Sequence, residues 1–285
     1  MRPSYLAVLT ALLLCLPAAQ AVESPNNTPV ASSATPLVIG ESFTLASKAL
    51  GETRHINVYV ARAWDTPPDA PLPVLYMPDG GIGEDFLHVA GLLQVSVANG
   101  TMRPFMLVGI QNTERRRDLT GPTDNPEDRK IAHVVGGSAA YRSFIRDELM
   151  PEVKRRYRTT PETAIVGESL AGLFVVETFL LEPQLFDHYL AFDPSLWWNR
   201  SALPAQAAAL LAKQGPGKHS LYLASSSEQG IAVEVQRLED ILRKQAPADL
   251  LWHVEKMPEE THGTIYQPAA LKAFRTVFRP AVTIN

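Results

Sequence analysis

From residue 73 onward the chain alternates between short, continuous apolar runs and longer stretches with helical periodicity. The runs are 73–77 (PVLYM), 105–110 (FMLVGI), 163–167 (TAIVG), 189–192 (YLAF) and 220–225 (SLYLAS), with a more polar last candidate at 251–257 (LWHVEKM). Such runs suit strands buried on both faces. Helices are predicted between them over 84–98, 139–156, 170–181, 205–214, 233–245 and 268–278. Strands alternating with helices of this length imply parallel strands with helices on both sides. Two β-rich stretches come first, 37–47 and 54–64. In the second, Ile56, Val58 and Val60 alternate with Asn57, Tyr59 and Ala61, as in a strand with one buried face, and Gly51 supplies a turn between the two stretches. The predicted fold class is therefore α/β: a mostly parallel, doubly wound sheet with an antiparallel N-terminal edge.

The amino terminus breaks this pattern. A positive residue, Arg2, precedes an apolar run from Tyr5 to Leu16 and then Ala19-Gln20-Ala21, the small-x-small form of a signal-peptidase site. Residues 1–21 read as a cleavable signal peptide, cut after Ala21, which predicts a periplasmic or secreted protein. The run is shorter than the ~20 residues of a spanning helix, so no stable membrane insertion is expected. Residues 22–36, rich in Pro, Ser, Asn and Thr, read as a flexible leader, and 37–285 as one domain. Cys15 is the only cysteine. A lipid-attachment site is the weaker reading of it, because Leu14 stands where a small residue is wanted. Its loss with the signal leaves the mature chain without a disulfide, a thiolate nucleophile or a cysteine zinc site.

Composition narrows the function classes. A net charge of −4 gives no basic field for a nucleic acid, and Arg115-Arg116-Arg117 and Lys154-Arg155-Arg156 read as solvated faces. With 46 % hydrophobic residues the chain can bury one substantial core.

The candidate chemistry lies at 167–172, Gly-Glu-Ser-Leu-Ala-Gly, directly after a predicted strand and directly before a predicted helix. In α/β sheets, sites form outside the carboxyl ends of strands. A nucleophilic serine on such a turn needs small residues two positions to either side, where the backbone folds back sharply, and Gly167 and Ala171 fill them. Ser169 is the predicted nucleophile; the alternative is a plain helix cap. The Leu170 backbone N–H, at the helix amino terminus, is a predicted oxyanion donor. The base and acid should follow the serine along the chain. Of His188, His219, His253 and His262, the last lies beyond the final strand and beside Gly263, and is the predicted base. Glu228, the first carboxylate after the run at 220–225, is the predicted acid, ahead of Glu234, Asp240, Asp249, Glu259 and Glu260. A second oxyanion donor is expected from the glycine loop after 73–77, with Gly81 preferred to Gly80. No metal site is expected.

Several longer segments, VLYMPDGG, VGIQNTERRRDLTGP, GGSAAYRSFIRDELMPEVKRRYRT, IVGESLAGLF, FDPSLWWN and THGTIYQPAAL, occur in this order between residues 74 and 271. Through them the sequence resembles the Putative esterase (esterase D-like) family of α/β-hydrolases, particularly the hydrolases of ferric trilactone siderophores such as enterobactin and bacillibactin. The resemblance implies an α/β-hydrolase fold and a serine esterase acting through an acyl-enzyme on a small-molecule ester. Ser169 would be the nucleophile, His262 the base and Glu228 the acid, with no cofactor; some relatives are described as using a Ser-His dyad. Arg117 is a candidate contact for an anionic substrate, and Trp197 and Trp198 are candidate pocket residues, or else core and rim packing. The same branch holds acyltransferases, and a catalytically inactive siderophore-binding protein is a further alternative. The acyl and alcohol groups and the oligomeric state stay open.

Overall fold

In the computed structural model, which describes residues 34–215 and 217–280, the apolar runs become strands of a single sheet. The antiparallel edge is β1 (Glu41–Ser47) and β2 (Glu52–Ala61). Then come β3 (Leu72–Pro78), α1 (Phe86–Ala98), β4 (Phe105–Ile110), and two short helices not predicted from periodicity, α2 (Arg115–Asp118) and α3 (Pro126–Ile131). At four and six residues these are too short to carry a period of 3.6. The predicted helix over 139–156 is α4 (Ser138–Phe144), a π-helical turn at Ile145–Leu149, and α5 (Met150–Arg156). Pro151, which cannot donate to the carbonyl four residues back, follows the widened turn. The rest of the chain is β5 (Thr159–Glu168), α6 (Leu170–Leu181), β6 (His188–Phe192), α7 (Trp198–Leu211), β7 (Ser220–Ser225), α8 (Gln229–Gln245), β8 (Leu251–Lys256) and α9 (Tyr266–Val277).

The strand order is β1-β2-β4-β3-β5-β6-β7-β8. The first two pairings, β1 with β2 and β2 with β4, are antiparallel and the others parallel, the topology of the α/β-hydrolase fold. Every residue of β3 is buried, as its unbroken apolar run requires in mid-sheet. Period-two alternation splits that run between two cores: Val74 and Tyr76 face the α4–α8 side, Leu75 and Met77 face α1 and α9. The described residues from Ile39 onward form one compact unit. The predicted signal peptide, with Cys15, lies outside the described residues. Among the described residues, no helix is long and apolar enough to cross a membrane.

The join of β5 to α6 positions the site. A Cβ on Gly167 would stand 2.7 Å from the Ala171 carbonyl carbon and Cβ, and one on Gly172 would stand 3.0 Å from the Phe192 carbonyl oxygen and Pro194 Cα. Strand and helix meet this closely only because these positions lack side chains. Gly167→Ala is expected to destabilise the fold by roughly 1–3 kcal/mol through overpacking. Urea unfolding checks this, and an unchanged midpoint would contradict it.

Candidate active site

Ser169 occupies the turn between β5 and α6 with φ 58° and ψ −120°, a conformation that costs a residue with a side chain about 1–3 kcal/mol. Two hydrogen bonds hold it there: Ser169 N–H donates to Phe192 O at 3.0 Å, and Ser195 N–H donates to Ser169 O at 3.0 Å. The Ser169 hydroxyl is thereby presented to the loop after β8. There His262 Nε2 accepts from Ser169 Oγ at 3.0 Å, with Nδ1 as the protonated ring nitrogen. The fold thus brings Ser169 and His262, 93 positions apart, into hydrogen-bond contact.

The carboxylate hydrogen-bonded to His262 is not Glu228. His262 Nδ1 donates to Asp193 Oδ2 at 2.9 Å, and Glu228 makes no hydrogen bond to the imidazole. Asp193 is the residue directly after β6, fully buried, with φ 42°. Its Oδ1 accepts from Ser226 N–H and its Oδ2 from Ser226 Oγ, each at 2.6 Å. The loop after β7, where the acid was expected, therefore contributes Ser226 as a support for Asp193. Glu228 has a different place two residues on: exposed, it directly precedes α8, its carbonyl accepting from Ile231 and Ala232 N–H while its own N–H donates to Ser226 Oγ. The sequence did carry a signal for Asp193. It is the carboxylate abutting the end of the run YLAF, in the same position relative to its strand as Ser169, but the expectation of an acid one strand later passed over it.

The hydrogen bond to Asp193 raises the His262 pKa above its ordinary value; burial opposes this, and the charges of Glu168, Asp193 and Glu228 add to it. Glu168 is the last residue of β5. Desolvation pushes its carboxyl up to about 7, against the attraction of His262 and Arg115.

The oxyanion donors fare unequally. Leu170 N–H, at the first position of α6, has no acceptor among the described residues. Gly81 N–H, by contrast, donates to Glu84 Oε2 at 2.6 Å, and Gly80 N–H to Ile110 O at 3.0 Å, so neither is free. The glycines of this loop serve close packing: a Cβ on Gly80 would lie 2.3 Å from Gly109 Cα in β4.

Two candidate binding residues are also reassigned. Arg117 donates from Nη2 to Glu52 Oε1 at 2.8 Å and from Nε to Asp118 Oδ1 at 2.7 Å, while Arg54 donates to the other oxygen of Asp118, so Arg117 ties α2 to the sheet. Trp198 is buried and donates its indole N–H to Gly121 O at 2.9 Å, which is core packing; Trp197 is half-buried. In the same segment Arg115 is clamped by Asp79, with Nε and Nη2 each 2.7 Å from a carboxylate oxygen, and Arg116 is exposed with no ion pair among the described residues. The described residues include no cluster of side chains able to hold a metal ion.

Known proteins resemble this chain in sequence and fold. The model of the Putative esterase family matches residues 47–268. A ferri-bacillibactin esterase of Bacillus subtilis is 30 % identical over 164 residues, covering 52 % of this chain and 56 % of the relative. A siderophore triacetylfusarinine C esterase of Aspergillus fumigatus is 31 % identical, covering 62 % of each. The chain thus spans less than two thirds of the length of these curated relatives. Among solved structures, an IroE-like serine hydrolase from Shewanella oneidensis superposes with a TM-score of 0.75 at 28 % identity, covering 84 % of this chain and 80 % of that one.

The hydrogen bond to Asp193 sets a titration test. The His262 pKa, followed by NMR, is expected to lie above the free-histidine value of about 6.5, to fall in Asp193→Asn, and to move much less in Glu228→Gln. A larger fall in Glu228→Gln would restore Glu228 as the acid.

Proposed function

Because the chain belongs to the Putative esterase family, we propose that it is a serine carboxylic-ester hydrolase with Ser169 as nucleophile, His262 as base and Asp193 as orienting acid. The observation that carries this reading is the continuous line from Ser169 Oγ to His262 Nε2 at 3.0 Å and from His262 Nδ1 to Asp193 Oδ2 at 2.9 Å. A serine hydroxyl is a poor nucleophile unaided, and an imidazole held in the correct tautomer by a buried carboxylate removes its proton as it attacks.

Ser169 Oγ attacks the ester carbonyl and its proton passes to His262 Nε2, while Leu170 N–H and the amino-terminal end of α6 stabilise the oxyanion. The C–O bond to the alcohol breaks, and the alcohol leaves with the proton from Nε2. Water then attacks the acyl-Ser169 ester, giving a proton to Nε2. Collapse releases the carboxylic acid and returns the proton to Ser169. Asp193 faces the imidazolium at both steps. Gly81 N–H would join the oxyanion hole only if Glu84 withdrew from it.

The substrate class we propose is the ester linkage of a siderophore. The curated relatives are named for that activity, and exposed Arg116 and half-buried Trp197 offer a cation and an aromatic face in the two segments next to the site. We further propose, from residues 1–21 read as a cleavable signal, that the enzyme acts in the periplasm or outside the cell.

Ferric enterobactin, p-nitrophenyl butyrate and a feruloyl ester, each incubated with the chain and its products weighed by mass spectrometry, test the reading. Hydrolysis of at least one ester, lost by a factor of roughly 10³ or more in Ser169→Ala, is expected, with the trilactone the preferred substrate. Equal rates in Ser169→Ala would reject the nucleophile, and faster turnover of the simple esters would reject the substrate class.

A further inference from the structure

Two carboxylates converge on one ring nitrogen. Besides Asp193 at 2.9 Å, Glu168 Oε1 lies 3.3 Å from His262 Nδ1. That oxygen is buried, and no donor among the described residues makes a hydrogen bond to it. The single Nδ1 proton points at Asp193, so Glu168 is within ion-pair reach without a hydrogen bond of its own. A buried polar atom without a partner calls for an explanation, and a catalytic role is one. The Glu168 backbone is fixed, since it is the last residue of β5 and adjoins the strained Ser169.

Resting on the reading of Ser169 as nucleophile, we propose that Glu168 is a second positioning acid, sharing the Nδ1 proton of His262 with Asp193 and able to hold the imidazole when Asp193 is absent. The charges around it are consistent with that role. Facing Glu168 are His262 from the loop after β8, Arg115 from α2, Asp193 from the end of β6, Asp85 just before α1, and the half-buried Tyr266 of α9. The nearby carboxylates and its own burial discourage ionisation of Glu168, whereas a proton arriving on His262 favours it. Its negative charge therefore grows as the imidazolium forms, the moment at which an acceptor at Nδ1 is most useful. Asp193 remains the principal acceptor, being closer and braced by Ser226.

A double-mutant cycle tests the sharing. Asp193→Gly is the suitable deletion, because glycine adopts φ 42° without strain; it also leaves no amide to impose the wrong imidazole tautomer. With p-nitrophenyl butyrate, Glu168→Ala is expected to lower kcat/KM less than about 5-fold in the wild-type background and by about 10²-fold in Asp193→Gly, the double variant approaching the ~10⁴-fold loss typical of a triad without its acid. An equal factor in both backgrounds would overturn the proposal.

The pH profile gives a second readout that does not depend on the Asp193 variant folding. A negative Glu168 stabilises the imidazolium and raises the pKa of His262. Its removal lets the neutral base persist to lower pH, so the acid limb of kcat/KM in Glu168→Gln should move down. A limb that stays in place or moves up would also overturn the proposal. Turnover retained by Ser169→Ala would instead remove the hydrolase reading on which the proposal rests.

Discussion

The site depends on a set of hydrogen bonds that ties together the carboxyl ends of neighbouring parallel strands. Ser169, after β5, donates from its amide to the last carbonyl of β6, and Asp193, after β6, donates from its amide to Ala224 in β7 at 2.9 Å. Ser226, after β7, holds the Asp193 carboxylate, and Ser227 N–H donates to Glu260 O at 2.9 Å in the loop that carries His262. Each turn is thus fastened to the next. Ser169 and Asp193, together with Asp79 at the end of β3, have positive φ without being glycine. Strain of this kind persists only where the surroundings over-determine the backbone, and here the same bonds that hold it aim the hydroxyl, imidazole and carboxylate along one line.

This arrangement explains how far the sequence could be read. Continuous apolar runs located β3 to β7 because parallel mid-sheet strands are buried on both faces and need no polar alternation. Gly167 and Ala171 marked the turn at Ser169 because close strand-helix contact restricts residue size locally. His262 was legible from its place after the last strand. The carboxylate that meets His262 was not, since it depends on which turn lies nearest Nδ1 in space, and nothing in the spacing of Asp193 and Glu228 encodes that. The expected oxyanion role of Gly81 met a similar limit: glycine signals close backbone approach, but here the approach is to β4 and the Glu84 carboxylate.

The arginine segment shows the same distinction between type and placement. Three consecutive arginines suggest a cationic surface, yet two of the three are committed to carboxylates: Arg117 to Glu52 and Asp118, and Arg115 to Asp79. They anchor α2 beside the site, and Arg116 alone of the three is left exposed. Paired tryptophans divide likewise, one into the core and one to the rim. Sequence identified the segments near the chemistry, and folding decided which side chain in each is available to a substrate.

The nucleophile itself can be identified without knowing the substrate. A fluorophosphonate forms a bond only with a serine whose proton a neighbouring base removes, and Ser195, whose hydroxyl lies 3.4 Å from that of Ser169, provides a close internal control. Peptide mass mapping after labelling should find one adduct per chain, on Ser169, and none in His262→Ala or in protein denatured beforehand. An adduct on Ser195 or another serine, or no adduct on the native chain, would contradict the assignment of Ser169.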